Sequence, residues 1–258
     1  MKAIWTGAIG FGLVNIPVKL FSATQGSELD LDMLDKKDHS NIRFLRVNEK
    51  TGKEVQWANI VKGYKYNDKY VVLDASDFEM ASAKKTSLIA ISNFVDEKTI
   101  DSLYYETPYY LAPEKAGVHA YALLREALSK TGKAAVATFV MRHKEILAVL
   151  RPSDKVIILN RIRFLEEIRD PSELPLPDRQ DIKPAELTMA VSLIRQLSSE
   201  FDIHKYKDSY TAELLKLIKS KAKGIRIKEP AMKIVHSKSQ DLMEQLKASL
   251  KIKQKKAS

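Results

Sequence analysis

AIWTGAIGFGLVNIPVKLFSAT, residues 3–24, decides how the chain is read. Its residues are rich in β-branched and aromatic types, Gly7, Gly10 and Gly12 punctuate it, and Pro17 stands in its second half. This pattern predicts a hairpin of two short strands, one of them edge-like, and not a helix. On the second strand the period of two puts Val14, Ile16, Val18 and Leu20 on one face and Asn15, Pro17 and Lys19 on the other. Nothing in the stretch is a nucleophile, a metal ligand or a phosphate loop, because the glycines miss the GxGxxG spacing and no Gly-Lys-Ser/Thr follows. It feeds a core and performs no chemistry of its own.

The order of residues carries more. The run GFGLVNIPVKLF, Gly10 to Phe21, resembles the opening signature of the bacterial Ku family, the DNA-end-binding factors of non-homologous end joining. The resemblance continues through IVKGYKYNDKYVVL (60–73), AYALLREALSKTGKAAVATFVMRHKEILAVLRP (120–152) and KYKDSYTAELLKLIKSKAKG (205–224), so it covers nearly all of residues 3–224. It implies a mostly β, α+β fold: a β-barrel core within residues 1–224, a β bridge arm over roughly residues 36–85 and a helical segment at 184–224, closing as a ring-shaped homodimer. By the same resemblance the ring binds linear double-stranded DNA ends without regard to sequence and recruits ligase D. Family members often carry cysteines just before the arm segment, where this chain has Val47-Asn48-Glu49, which excludes a zinc-stabilised arm.

Composition agrees with a folded binding protein. At 258 residues and 45% hydrophobic content the chain can bury a substantial core. It has no apolar run of bilayer-spanning length and no signal-peptide pattern, so no membrane role and a cytoplasmic, nucleoid-associated location are expected. With no cysteine and five scattered histidines, neither a disulfide, a metal site nor a cofactor is predicted. The net charge is +10, and residues 203–258 hold 15 basic against 5 acidic side chains, which accounts for all of it. The rest balances in blocks: 36–69 and 115–165 are basic, 70–114 and 166–202 acidic. Such blocks make a basic DNA-facing surface plausible beside an acidic one.

Along the chain, IRFLRV (42–47) reads as a strand, Lys50 to Lys53 as a turn, and Asn67-Asp68 as the tight turn of a hairpin. In this arm Arg43, Arg46, Lys53, Lys62, Lys65 and Lys69 interleave with Phe44, Trp57, Tyr64, Tyr66 and Tyr70. Interleaving of this kind serves stacking on unpaired bases or, more often in strands, aromatics packed inward with lysines outward; the inward reading is preferred. Further strands are expected at 86–95, 103–111, on either side of a turn near 142–145, and over 155–170. A helix is expected at 117–131, with Val118, Tyr121, Leu124 and Leu128 on one side and Gly132 as its stop. Arg161 and Arg163 share a strand face, suited equally to phosphate contacts and to pairing with the acidic blocks. Arg43, Arg46, Lys53, Lys62, Lys65, Arg161 and Arg163 form the expected DNA-binding set, from strands whose opposite faces look buried.

After a proline-rich connector, Pro184 opens a helix with Leu187, Val191, Ile194, Leu197 and Phe201 as its stripe, and Asp208 caps a second helix closed by Gly224. Residues 225–258 read as a linker and a short basic helix opened by Ser237 and Gln240, with Leu242, Met243, Leu246 and Leu250 as an apolar stripe. QDLMEQLKASLKIK resembles the minimal segment with which bacterial Ku recruits ligase D, making those four residues the expected partner-binding set. Lys251, Lys253, Lys255 and Lys256 are the expected DNA contacts of the tail. Competing classes are an enzyme, for which no catalytic constellation appears, a scaffold working only through its tail, and a general architectural DNA or RNA binder without end selectivity. The resemblance also allows a lysine amine to attack an abasic sugar, although the sequence singles out no lysine for it.

Overall fold

The computed structural model describes residues 1–81, 87–176 and 182–225. The chain divides into two units, residues 1–26 with 31–170, and residues 27–30 with 171–258.

In the first unit the opening hairpin forms as its alternation requires: β1, Trp5–Phe11, runs antiparallel to β2, Val14–Ser22, from Trp5 opposite Leu20 to Phe11 opposite Val14. A long excursion follows, containing β3, Lys62–Tyr66, β4, Lys69–Leu73, and the short helix α1, Ala75–Ala81. The chain returns in β5, Leu88–Asp96, then β6, Tyr105–Pro113, helix α2, Val118–Thr131, and three more strands: β7, Lys133–Met141, β8, Lys144–Pro152, and β9, Ile157–Ile162. The seven strands other than β3 and β4 close into a barrel in the order β1, β2, β6, β9, β8, β7, β5. Closure is made by the parallel pairing of β1 with β5 at Ala8–Leu88, Ile9–Ile89 and Gly10–Ala90. A closed sheet has no edge to leave backbone groups unpaired.

The barrel interior takes Ile9, Ile16, Val18 and Leu20 from the hairpin, packed with Ile89, Leu111, Phe139, Leu150 and Leu159, all buried. Val14, at the hairpin tip, is exposed. Pro17 is not on an edge: β2 has partners on both sides, but its ladder with β6 begins at Val18, one residue beyond the proline. The missing N–H therefore costs no bond to β6, while the Pro17 carbonyl accepts from the Glu114 N–H at 2.9 Å.

Helix α2 buries Tyr121, Leu124 and Leu128 against this core and ends on Gly132 at φ 63°, as the spacing predicts, whereas Val118 is exposed. Burial of each apolar side chain contributes about 1.5–3 kcal/mol. Tyr121 adds a specific clamp. Its hydroxyl donates to the Leu111 carbonyl at 2.6 Å and accepts from the Ile157 N–H at 2.7 Å, joining the ends of β6 and β9, where these two residues stand opposite each other. Burial raises the Tyr121 pKa above its ordinary value, so the hydroxyl keeps the proton it donates.

Three local expectations are corrected, and one helix was not anticipated. Residues 42–47 form no strand: Asn41 and Val47 make single bridges to Leu34 and Glu54, and the residues between them are irregular. The aromatics of the arm do not pack inward, since Phe44, Trp57, Tyr64, Tyr66 and Tyr70 are all exposed. A two-stranded ribbon has no second layer to receive them. The strand expected over 155–170 ends at Ile162, so Arg163 lies past it, and Glu166 and Glu167 belong to a short turn of 3-10 helix. Helix α1, unread in the sequence, is started by Asp74, whose carboxylate accepts from the Ser76 and Asp77 N–H groups at 2.7 and 3.1 Å. Elsewhere the turns form as read: Gly52 has φ 66°, and Asn67 and Asp68 sit at φ 45° and 63° in the β3–β4 hairpin.

The second unit contains α3, Pro184–Leu197, with proline in the first turn, and α4, Ser209–Ala222, capped by Asp208 through the Thr211 N–H at 3.0 Å. Neither helix has a buried residue. Leu187, Ile194 and Leu197 of the expected α3 stripe are exposed, and Phe201 lies beyond the helix, stacked on Tyr206 with ring centroids 5.8 Å apart. Val191 of that stripe is half-buried, as are Met189, Ala190 and Leu193.

Two substitutions test this account. Tyr121→Phe strands a buried N–H and a buried carbonyl, and urea unfolding should show a loss of about 1–3 kcal/mol. A Cβ at Gly7 would overlap both the Ser87 carbonyl oxygen and the Trp5 ring. Gly7→Ala should therefore lower the unfolding midpoint by an overpacking cost of about 1–3 kcal/mol, and unchanged midpoints for both variants would contradict the closure described.

Candidate nucleic-acid interface

Opposite charges meet along the barrel wall. The acidic block at 70–114 supplies Asp96, Glu97 and Glu106, which pair with Lys133 at 4.0 Å, Arg151 at 3.1 Å and Arg161 at 2.9 Å from the basic block at 115–165. Glu114 likewise takes Lys19 at 3.2 Å. Such half-exposed pairs stabilise little individually, but they cancel part of the wall's charge. The structure thus realises the pairing alternative for Arg161. Arg163 is spent on the backbone, donating to the Tyr105 carbonyl at 2.9 Å and to the Leu103 carbonyl at 3.3 Å.

The arm is different. Among the described residues Arg43, Arg46, Lys53 and Lys62 form no ion pair, and all four are exposed. The Arg46 guanidinium lies over the Trp57 ring at 4.7 Å, and the Lys62 ammonium over Phe78 of α1 at 5.0 Å. These contacts hold the cation without cancelling its charge. Lys65 alone of the arm set is paired, with Asp68 across the hairpin turn at 3.1 Å.

Register sorts the ribbon further. Lys62, Tyr64 and Tyr66 face the same way as their cross-strand partners Leu73, Val71 and Lys69, while Lys65 shares the other face with Tyr70 and Val72. Lys62 and Lys65, grouped by the sequence, therefore point to opposite sides. Lys69, left out of the expected set, joins Lys62. The two-residue Asn67-Asp68 turn carried this information, because it fixes Tyr66 opposite Lys69. Arg43, Arg46 and Lys53 lie in irregular chain, where strand parity does not apply. Leu242, Met243, Leu246, Leu250, Lys251, Lys253, Lys255 and Lys256 lie outside the described residues.

Among the described residues there is no cluster of three or more histidine or acidic side chains able to hold a metal ion, and no helix long and apolar enough to cross a membrane. What the arrangement offers chemically is a barrel whose wall charges are partly paired, carrying an arm on which Arg43, Arg46, Lys53 and Lys62 are unpaired among the described residues and aromatic rings are exposed, which suits sequence-independent contact with a polyanion.

Comparison with known proteins gives this arrangement a lineage. A family model described as the Ku70/Ku80 beta-barrel domain matches residues 10–189. A protein of Cupriavidus necator named non-homologous end joining protein Ku is 42% identical over 226 residues, 85% of this chain and 67% of its own length. The protein of that name from Coxiella burnetii is 37% identical over 263 residues, 98% of this chain and 96% of its own. One from Archaeoglobus fulgidus is 38% identical over 254 residues, 97% and 98% of the two chains. With the barrel matched and the likeness running almost end to end, the chain belongs to the Ku family.

Proposed function

We propose that this protein binds the ends of double-stranded DNA without regard to sequence, as a homodimeric ring, in non-homologous end joining. The observation that carries the proposal is the arm: a long excursion from a closed barrel on which Arg43, Arg46, Lys53 and Lys62 have no carboxylate partner among the described residues, in a chain of the Ku family. A factor that must hold any broken end cannot read base edges, so its contacts go to phosphate and sugar. The family's relatives carry the non-homologous end joining name, which supports a binding role in repair over catalysis by this chain.

A second copy is supported by what one copy leaves bare. Leu187, Ile194 and Leu197 of α3, Phe201, Ile203, Tyr206, and the rings of the arm are exposed, an amount of apolar surface that a lone chain of this size seldom presents to water. Helices of 14 residues with no buried side chain are marginal by themselves. One chain also has no internal repeat to supply the other half of a bridge. Residues 225–258 serve recruitment: Leu242, Met243, Leu246 and Leu250 seat in a groove of ligase D, and Lys251, Lys253, Lys255 and Lys256 lie on DNA.

Linear duplex should bind far more tightly than a covalently closed circle of the same sequence, with affinity falling steeply in salt; equal affinity for both would favour the general architectural binder. Charge reversal of Lys62 with Lys69 should weaken binding on all sequences alike, and neutralising each contacting lysine should lower the salt slope by about one unit. Lys65→Glu, on the opposite face and already paired, should do less. Leu242→Ala with Leu246→Ala should abolish stimulation of end ligation by ligase D with DNA affinity intact, and normal joining by that variant would refute the tail's role.

A further inference from the structure

The two faces of the β3–β4 ribbon are unlike. On one, the cross-strand pairs Lys62–Leu73, Tyr64–Val71 and Tyr66–Lys69 follow one another, while Gly63, Lys65, Tyr70 and Val72 stand on the other. The second face has its charge cancelled and its ring laid down. Lys65 pairs with Asp68 at 3.1 Å, and the Tyr70 ring lies along the ribbon, its Cδ1 3.4 Å from the point that a Cβ on Gly63 would occupy. The first face keeps both charge and rings. Lys62 and Lys69 have no carboxylate partner among the described residues, and Tyr64 is 67% and Tyr66 63% exposed. Lys62 is steadied over Phe78 of α1 at 5.0 Å, a contact that leaves its charge intact.

Along this face the order is ammonium, ring, ring, ammonium. Residues two apart on an antiparallel strand are spaced by about 6.8 Å, which is roughly twice the step between stacked bases, so a base can lie on either ring without displacing the other. Val71, opposite Tyr64, backs the first ring. The carboxylate beside the tip, Asp68, is taken by Lys65, and Asp74 and Asp77 lie past Leu73 at the other end, where they bind the N–H groups that start α1. Interleaved aromatics and cations serve either inward packing or stacking on unpaired bases. The exposure of both rings removes the first role.

We propose that the Tyr64–Tyr66 face of the ribbon binds unpaired nucleotides, one base stacked on each ring and the phosphates drawn to Lys62 and Lys69, so that the arm takes hold of the single-stranded overhang of a broken end. Bases within a duplex are already stacked on each other and closed to these rings, which makes the face selective for unpaired strand. A second copy is the poorer occupant. A two-fold contact sets a patch against itself, and on this face it would bring unpaired ammoniums together, a cost that the Tyr70 face, with Lys65 already paired, does not carry. The proposal rests on the reading of the arm as the DNA-end contact and adds single-strand recognition to it.

The test is fluorescence anisotropy of the full-length protein with a labelled blunt duplex and with the same duplex extended by a short thymidine overhang. The overhang should raise affinity about tenfold or more, and an adenosine overhang should do so as well, because every base offers a π-face. Tyr64→Leu with Tyr66→Leu keeps apolar bulk on the ribbon and should bring the two affinities together. Tyr64→Phe with Tyr66→Phe keeps both rings and should preserve the overhang's advantage. No advantage in the wild type would overturn the proposal. An unchanged ratio in the leucine variant, whether its affinities hold or fall together, would overturn it too, and a joint fall with monomers in sedimentation would assign the rings to the second copy. Wild-type protein that binds the overhang but not the blunt duplex would instead refute the duplex-end reading and leave the stacking face standing.

Discussion

Closure of the barrel by the parallel contact between β1 and β5 is the constraint on which the rest depends. It brings the Gly7 backbone against Ser87 and leaves no sheet edge for later strands to join. The residues between β2 and β5 therefore have nowhere to add to the barrel, and among the described residues their two strands pair with each other as the β3–β4 ribbon. A ribbon of two strands keeps both faces open. Its rings and lysines remain exposed because closure elsewhere has used up the available layers.

The same closure sorts the charges. By setting β5 and β6 beside β7, β8 and β9, it brings one acidic and one basic block of the sequence together, so that Glu97, Glu106 and Asp96 meet Arg151, Arg161 and Lys133. Blocks that look like separate surfaces in the sequence meet and offset each other in part. The arm block has no strand of opposite sign beside it, and residues 36–69 keep nine basic against four acidic side chains. Arg151 shows the other consequence. Held by Glu97 and Asn160, it serves the local architecture of the wall and not the arm's polyanion surface.

The barrel was legible because its signals are local. Ile16, Val18 and Leu20 obey the period of two, α2 the period of the helix, and Gly132, Gly52 and Asn67-Asp68 mark their turns without help from distant residues. The illegible parts depend on what lies across space. IRFLRV has strand-forming residues but no neighbouring strand to pair with, so 42–47 stays irregular. The arm aromatics were expected inward on the usual behaviour of strands, which presumes a second layer that the ribbon lacks. Arg161 and Glu106 are far apart in sequence, and nothing in either residue announces the other. Lys69 could have been placed with Lys62 from the turn alone, since a two-residue hairpin fixes the register.

The central claim is that two copies enclose the duplex, and topology tests it most directly. Protein loaded on linear DNA, which is then ligated into a circle, should remain on the circle through a salt wash that strips it from DNA left linear. Release at the same salt concentration from both would contradict an enclosing ring, leaving the arm as a surface contact only.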